Sequence, residues 1–308
     1  MEKAIVTGAN GFIGSNLVKC LISHGVRVTA IVRNEKSDIA SLAELKNVEI
    51  IYCPLSEISS LPDKISGKKF DAFYHLAWEG NSGVNRQNHA MQMQNAIYAA
   101  DALKASESLG CEKILFSGTI TEKIAANILN LTNITAQNMI YGIAKNAAHQ
   151  VCEFLSRTSR VKFMWCVLSN IYGPGNKTGN IISYALQNLM NGKIPEFSSA
   201  GQPFDLMHAE DCVEALYSLG NCATNMKEFF IGSGSPGPLK DYLLQTGRAA
   251  GFDISSAIGK RPDDGLQYDL KWFETADLTK ETGFTPKISF EDGIRNTIES
   301  MKKEKKNF

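Results

Sequence analysis

No stretch of this chain is apolar for long enough to span a bilayer, and no basic leader with an apolar segment precedes its first strand-like run. There is no excess of charge either. Thirty-two Lys and Arg residues balance 32 Asp and Glu residues, giving a formal net charge of zero at pH 7. That argues against a chain-wide surface for nucleic acid or anionic membrane. The seven cysteines (20, 53, 111, 152, 166, 212 and 222) contain no Cys-x-x-Cys pair. Buried thiols in a reducing cytoplasm are therefore expected, rather than disulfides or zinc. No internal repeat or low-complexity linker divides the 308 residues.

What is present is alternation. Strand-like runs at 4–7, 26–32, 48–52, 72–76, 113–117 and 163–168 are separated by segments of helical periodicity. Parallel strands need crossover helices, and these cover both sheet faces, so the pattern predicts an α/β fold with a doubly wound parallel sheet. The alternation breaks after Gly173-Pro-Gly175. Helical patterns at 181–191 and 209–219, with a brief return between, predict a smaller α+β unit. The expected division is 1–172 plus about 204–232 for the sheet domain, and about 173–203 plus 233–308 for a substrate-binding domain across a cleft.

The first strand runs directly into Gly8, Gly11 and Gly14, and a helical pattern begins near Ser15. Gly8 permits a sharp turn, Gly11 a close approach of backbone N–H groups to a pyrophosphate, and Gly14 close helix–sheet packing. Helix N-terminal donors then favour the anion. This strand–glycines–helix–strand order predicts a dinucleotide site.

Tyr141-Gly-Ile-Ala-Lys145 places a phenol and an ammonium on one helix face. A nearby cation favours ionisation of a phenol and tunes it for proton transfer. Thr119, at the end of the fifth predicted strand, offers a hydroxyl at the same sheet edge, and Asn95 lies in the preceding helix. His75 and His208 have no metal-ligand spacing around them, so no metal site is expected. The sequons Asn130-Leu-Thr132 and Asn133-Ile-Thr135 have no use in a chain that is not secreted, and the basic tail from Lys302 is expected to fray.

Thr7-Gly-x-x-Gly-x-x-Gly14, Asp71-Ala-Phe-Tyr-His-Leu-Ala77, Asn95, the strand end at 117–119, Tyr141-x-x-x-Lys145 and Asn170-Ile-Tyr-Gly-Pro-Gly175 together carry a resemblance. With Phe204-Asp-Leu-Met-His-Ala-Glu-Asp211 and Arg261-Pro-Asp-Asp264, they make the chain similar to the extended short-chain dehydrogenase/reductase family. Within it, nucleotide-sugar epimerases and 4-ketoreductases of the NAD-dependent epimerase/dehydratase type are most alike. The resemblance implies a Rossmann domain that binds the cofactor through Gly8, Asn10, Gly11, Phe12, Ile13, Gly14, Leu76 and Ala77. It makes Tyr141 the acid/base, and Lys145 a ribose ligand that lowers the phenol pKa. Thr119 becomes the hydroxyl on the reacting sugar oxygen, with Asn95 supporting the lysine. Asn170, Asn180 and Arg261 become substrate contacts. Pairing of the helices at 86–109 and 139–157 with their copies would give a homodimer.

Three departures carry information. Val167 and Phe204 stand where many relatives have arginine, so sugar recognition is expected to differ. Ile120 and Thr121 replace the Asp-Glu pair that 4,6-dehydratases use to eliminate water, which argues against that reaction. The second strand ends at Arg33, where NAD sites commonly offer a carboxylate to the ribose 2′-hydroxyl. A guanidinium suits a 2′-phosphate, so NADP(H) is favoured, with NAD(H) as the alternative. The resulting expectation is reduction of a nucleotide-linked 4-keto-6-deoxysugar. A 4-epimerase with the same residues, a reductase of a non-nucleotide carbonyl and a non-catalytic NADP(H) sensor are the alternatives.

Overall fold

The computed structural model describes residues 1–65, 67, 69–128 and 139–306; both sequons lie outside them. In chain order the elements are β1 (Lys3–Thr7), α1 (Phe12–Ser23), β2 (Arg27–Val32), β3 (Val48–Tyr52), α2 (Leu61–Lys64), β4 (Phe70–His75), α3 (His89–Ser108) and β5 (Cys111–Thr119). They continue with α4 (Ile120–Ala125), α5 (Met139–Ser156), β6 (Lys162–Leu168), β7 (Asn170–Tyr172), α6 (Ile181–Met190), β8 (Pro203–Phe204), β9 (Leu206–His208) and α7 (Ala209–Asn221). Last come β10 (Glu228–Ile231), β11 (Gly237–Pro238), α8 (Leu239–Ala250), α9 (Ala276–Thr282) and α10 (Phe290–Lys306).

Seven strands form one parallel sheet in the order β10-β6-β5-β4-β1-β2-β3. The chain starts at β1, builds outward to β3, then returns to lay β4 on the other side of β1. That reversal opens a crevice at the carboxyl ends of β1 and β4. Alternation along β1 supplies both layers: Ala4 and Val6 face the core made with Leu17, Val18 and Leu21 of α1 and Val213 and Leu216 of α7. Ile5 faces the opposite core, with Ala99 and Ala102 of α3 and Ala144 and Ala148 of α5. Burial on both faces is why the strand reads as an unbroken apolar run.

A third core joins Ile182 and Leu186 of α6, Leu243 of α8 and Ile294 and Ile298 of α10. Two boundaries depart from the sequence reading. Leu278 of α9 and Phe284 pack in the core with α1 and α7, so this part of the 233–308 segment belongs to the sheet layer. The Asp211 carboxylate fastens it there, accepting N–H bonds from Lys287 at 3.1 Å and Ile288 at 2.8 Å. Conversely, Phe204 and Leu206 join the third core. The edge strand β10 also escaped the reading, being only four residues long. Helix α1 begins at Phe12 rather than near Ser15, because extended Gly11 (φ −76°, ψ 174°) is its N-cap.

A small polar knot fixes β1 against β4. The Thr7 hydroxyl accepts N–H bonds from Leu76 and Ala77, both at 3.2 Å, and lies 3.1 Å from His75 Nδ1. With its lone pairs facing two donors, the hydroxyl gives its proton to Nδ1, which therefore acts as an acceptor. Burial pushes the His75 imidazole down to about 3. The sign follows from linkage: a neutral native imidazole stabilises the fold above the unfolded-state pKa of 6.5, and this stabilisation is lost as pH falls toward 3. Urea melts between pH 7 and 3 should therefore show stability falling by up to about 1.4 kcal/mol per pH unit from this residue. His75→Asn should flatten that slope while lowering stability at pH 7; an unchanged slope would refute the assignment.

Candidate active site

Two hollows meet at the crevice. The smaller, about 370 Å³, is lined by Gly8, Asn10, Gly11, Arg33, Ser37, Leu76, Ala77, Trp78, Glu79 and Asn81 among others. Gly8 has φ +66°, and a Cβ there would lie 3.0 Å from Ala77 Cα and N. A Cβ on Gly14 would come to 2.0 Å from the Gly8 carbonyl oxygen, a backbone clash that no rotamer relieves. The close approach leaves the first-turn N–H groups of α1 at the crevice floor, as a pyrophosphate requires. The Gly11 N–H itself is not free, since it closes the turn onto the Gly8 carbonyl at 2.9 Å. Asn10 likewise donates its side-chain amide to the Asp38 carbonyl at 3.0 Å and braces the loop below Arg33. These residues fit a dinucleotide.

The larger cavity, about 660 Å³, lies between the sheet edge and the third core. Phe12, Ile13, Thr119, Tyr141, Asn170, Asn180 and Arg261 line it, and Asn81 lines both hollows. Thr119 and Tyr141, 22 positions apart, come together because α4 starts where β5 stops. Thr119 is the N-cap of α4 in a capping box with Glu122; its hydroxyl accepts from the Thr121 N–H at 3.3 Å, and it lines the cavity together with Tyr141. Glu122 is buried: Oε2 accepts from the Thr119 N–H at 3.2 Å and Oε1 from Trp165 Nε1 at 2.7 Å.

The electrostatics differ from expectation. Lys145 lines neither hollow; its ammonium donates to the Ser117 carbonyl at 2.6 Å and lies 3.9 Å from the centre of the Trp78 ring. Burial pushes its pKa down to about 7. The phenol is not depressed: burial raises its pKa, and the opposing lowering effects are the Arg86 guanidinium and the Thr119 side chain. The Arg86 guanidinium carbon stands 4.1 Å from the Tyr141 ring centroid. Sequence reasoning missed Arg86 because it sits in the short 3₁₀ turn Gly83–Gln87, which carries no periodicity. Asn95 does not reach Lys145 through a hydrogen bond. It accepts from the Glu79 N–H at 2.8 Å and donates to the carbonyls of Glu79 and Met91, fixing the backbone that carries Trp78 over the ammonium.

Of the expected substrate contacts, Asn180 caps α6, accepting from Ser183 N–H at 2.9 Å and donating to the Ile171 carbonyl at 2.8 Å. Both halves of its amide are engaged in holding the cavity wall. Asn170 pairs with the Asp205 carbonyl, and Arg261 donates to the Tyr184 hydroxyl at 3.0 Å. Val167 is buried within β6, while Phe204 forms part of the wall. Among the described residues one group has metal-ligand spacing, Cys20, His24 and Glu214, where no metal was expected. It bridges α1 and α7, lines neither hollow, and is already joined by hydrogen bonds at 3.1–3.4 Å. Sequence spacing gave no sign of it because Glu214 is 190 positions from His24.

A parallel sheet with a glycine-lined crevice opening onto a hydroxyl-bearing cavity defines a dinucleotide-binding enzyme of the Rossmann type. Residues 4–232 match the model of the NAD dependent epimerase/dehydratase family, and the chain belongs to that family. It is 25% identical to a dTDP-glucose 4,6-dehydratase of Streptomyces niveus, over 96% of this chain and 92% of the relative. It is 28% identical to a dTDP-6-deoxy-L-talose 4-dehydrogenase (NAD(+)) of Aggregatibacter actinomycetemcomitans, over 59% of this chain and 66% of that one. The crystal structure of a Thermotoga maritima UDP-glucose 4-epimerase with UDP-glucose superposes with TM-score 0.79 at 21% identity, covering 98% and 99% of the two chains. Its likeness concerns the fold. No helix among the described residues is long and apolar enough to cross a membrane.

Proposed function

We propose that this enzyme is an NADP(H)-dependent reductase of a nucleotide-linked 4-keto-6-deoxysugar. The observation that carries the reading is the placing of Thr119 and Tyr141 together on the wall of the cavity that adjoins the glycine crevice. Bound there, the cofactor would supply hydride to the sugar carbonyl. Thr119 and Tyr141 orient that carbonyl with their hydroxyls, and Tyr141 delivers the proton to its oxygen. Two donors aimed at one oxygen stabilise the developing alkoxide, and fixed placement of both reactants removes much of the entropic barrier. Arg261 grips the nucleotide diphosphate at the outer end of the cavity, and Asn170 bounds the sugar.

Elimination chemistry is disfavoured by the same wall. Ile120 and Thr121 border the cavity where a dehydratase needs its own acid and base, and the nearby Glu122 has both oxygens committed. A 4-epimerase is the second reading, supported by the fold it shares with the Thermotoga maritima enzyme. It needs the same hydroxyls but retains its cofactor through both half-reactions. Arg33, which lines the smaller hollow beside Ser37, favours an exchangeable 2′-phosphorylated cofactor. The relative whose name specifies NAD(+) keeps the opposite preference in play as an outcome of the test.

Met93 and Ile97 on α3, with Val151 and Phe154 on α5, are exposed by 45%, 55%, 46% and 67% of their surface. Four exposed apolar side chains on two neighbouring helices favour a homodimer through this face.

Oxidation of NADPH by 4-keto-6-deoxysugars linked to CDP, GDP, dTDP or UDP should follow this chemistry, and Tyr141→Phe should lose turnover by about a hundredfold or more while keeping cofactor affinity. Epimerisation of a UDP-hexose with no reaction in that panel would select the second reading. NADPH should bind more tightly than NADH in fluorescence titrations, and Arg33→Asp should abolish or reverse the ratio; an unchanged ratio would remove the cofactor argument. Light scattering should give twice the monomer mass, falling to the monomer for Phe154→Asp; a monomeric wild type would sink the dimer.

A further inference from the structure

We propose that Cys20, His24 and Glu214 form a zinc site that clips α1 to α7. The inference is independent of the proposed reaction. It concerns the end of α1 opposite the glycine turn, roughly 18 Å along the helix at about 1.5 Å per residue.

Two helices deliver the ligands. Cys20 and His24 lie four positions apart at the carboxyl end of α1, so both project from one face. Glu214 comes from α7, which packs on α1 through Leu17, Leu21, Val213 and Leu216. Cys20 Sγ lies 3.4 Å from Glu214 Oε1, and His24 Nε2 lies 3.2 Å and 3.1 Å from the two carboxylate oxygens. All three ligand atoms fall within 4.8 Å of one another. Zinc bonds of about 2.3 Å to sulfur and about 2.0–2.2 Å to nitrogen and oxygen set tetrahedral ligands roughly 3.3–3.7 Å apart. The sulfur–oxygen and nitrogen–oxygen edges already have that length to within a few tenths of an ångström. The third edge closes by roughly 1 Å at most, which a side-chain rotation supplies.

The surroundings suit a cation. Tyr217, one turn beyond Glu214 on α7, stacks on the His24 ring with centroids 3.8 Å apart and planes 9° apart, which holds Nε2 toward the carboxylate. His24 is the C-cap of α1, where the negative end of the helix dipole favours positive charge. Among the described residues Glu214 has no lysine or arginine partner; its ion pair is with His24. Cys20 is buried, whereas the side chains of His24 and Glu214 keep 35% and 42% exposure, an open side for a water as fourth ligand. A thiolate, an imidazole and a carboxylate select a zinc-like ion over magnesium or calcium, which take oxygen ligands. Burial, with the Glu214 carboxylate, raises the thiol pKa, so zinc must displace a proton. On binding, the S–H bond gives way to a zinc–sulfur bond and its proton passes to solvent, while the neutral imidazole keeps its proton on Nδ1 and offers the Nε2 lone pair.

The test uses the whole chain after chelator treatment and dialysis. Zn²⁺ competed against a colorimetric chelator should fill one site per chain, and a large excess of Mg²⁺ should not displace it. Cys20→Ser, His24→Ala and Glu214→Gln should each weaken that site by more than about tenfold, the least that losing even a supporting partner of a metal ligand costs. Co²⁺ in place of zinc should give a thiolate-to-cobalt charge-transfer band and tetrahedral visible bands, both absent from Cys20→Ser. Zn²⁺ should also raise the melting temperature of the wild type and not that of His24→Ala, because an ion held only by the folded chain stabilises it. Near-ultraviolet dichroism checks folding, and the surface variants at His24 and Glu214 carry the test if Cys20→Ser does not fold. A wild type that takes up no zinc overturns the proposal. So does a zinc affinity unchanged in His24→Ala and Glu214→Gln, which would put the ion on other thiols.

Discussion

The close approach between the start of α1 and the Gly8 turn is the constraint on which the rest of the site depends. With the Gly8 carbonyl 2.0 Å from where a Gly14 Cβ would lie, the helix can sit this low only without a side chain. That seating puts the first-turn N–H groups at the crevice and brings Phe12 and Ile13 to the larger cavity, so one helix end borders both hollows. The opposite wall depends on the same contact. Gly8 touches the backbone of Ala77, and Thr7 holds Leu76 and Ala77 through one hydroxyl. The Trp78–Gln92 segment leaves the sheet from that fixed point. A shift of the glycine turn would therefore move the cofactor hollow and the loop bearing Arg86 together.

Burial also acts on the two cations near the phenol. An ammonium enclosed by a tryptophan ring and one carbonyl lacks the solvation or paired anion that would keep it charged, and its proton becomes easy to lose. The delocalised guanidinium of Arg86 is held against the face of the Tyr141 ring, and burial lowers its pKa. Lys145 ties the end of β5 to α5 through the Ser117 carbonyl. Spacing along a helix establishes that Tyr141 and Lys145 share a face. It says nothing about what covers that face.

This marks how far the sequence could be read. Six of the seven sheet strands were legible because parallel strands buried on two faces are continuous apolar runs, and the glycines were legible because no other residue occupies those backbone positions. The four-residue β10 was too short for a periodic signal, and its place at the sheet edge depends on pairing with β6, far away in sequence. The extent of the second unit was misjudged at α9 for a similar reason: its anchor is Asp211, 76 positions from Lys287. In the site, Thr119 and Tyr141 were found through motifs attached to regular elements. Arg86 was not, since a turn residue carries no periodicity and meets the Tyr141 ring only through the fold.

The buried Glu122 bears on the proposed chemistry. A carboxylate this close to the reacting hydroxyls resembles the general acid or base that elimination would need, yet its two oxygens already accept from a backbone amide and an indole. His149 lies 3.4 Å from Oε1 and stacks on Trp165, with ring centroids 4.5 Å apart, closing the remaining approach. Withdrawing Glu122 for catalysis would leave the Thr119 N–H and the Trp165 indole unsatisfied, each at about 1–3 kcal/mol. It would also loosen the capping box that holds Thr119 at the cavity wall. The carboxylate is thus more valuable as the fixed end of the α4 cap than as a proton carrier. This supports the proposed reduction of a sugar carbonyl, which needs hydroxyls in place and no additional acid or base.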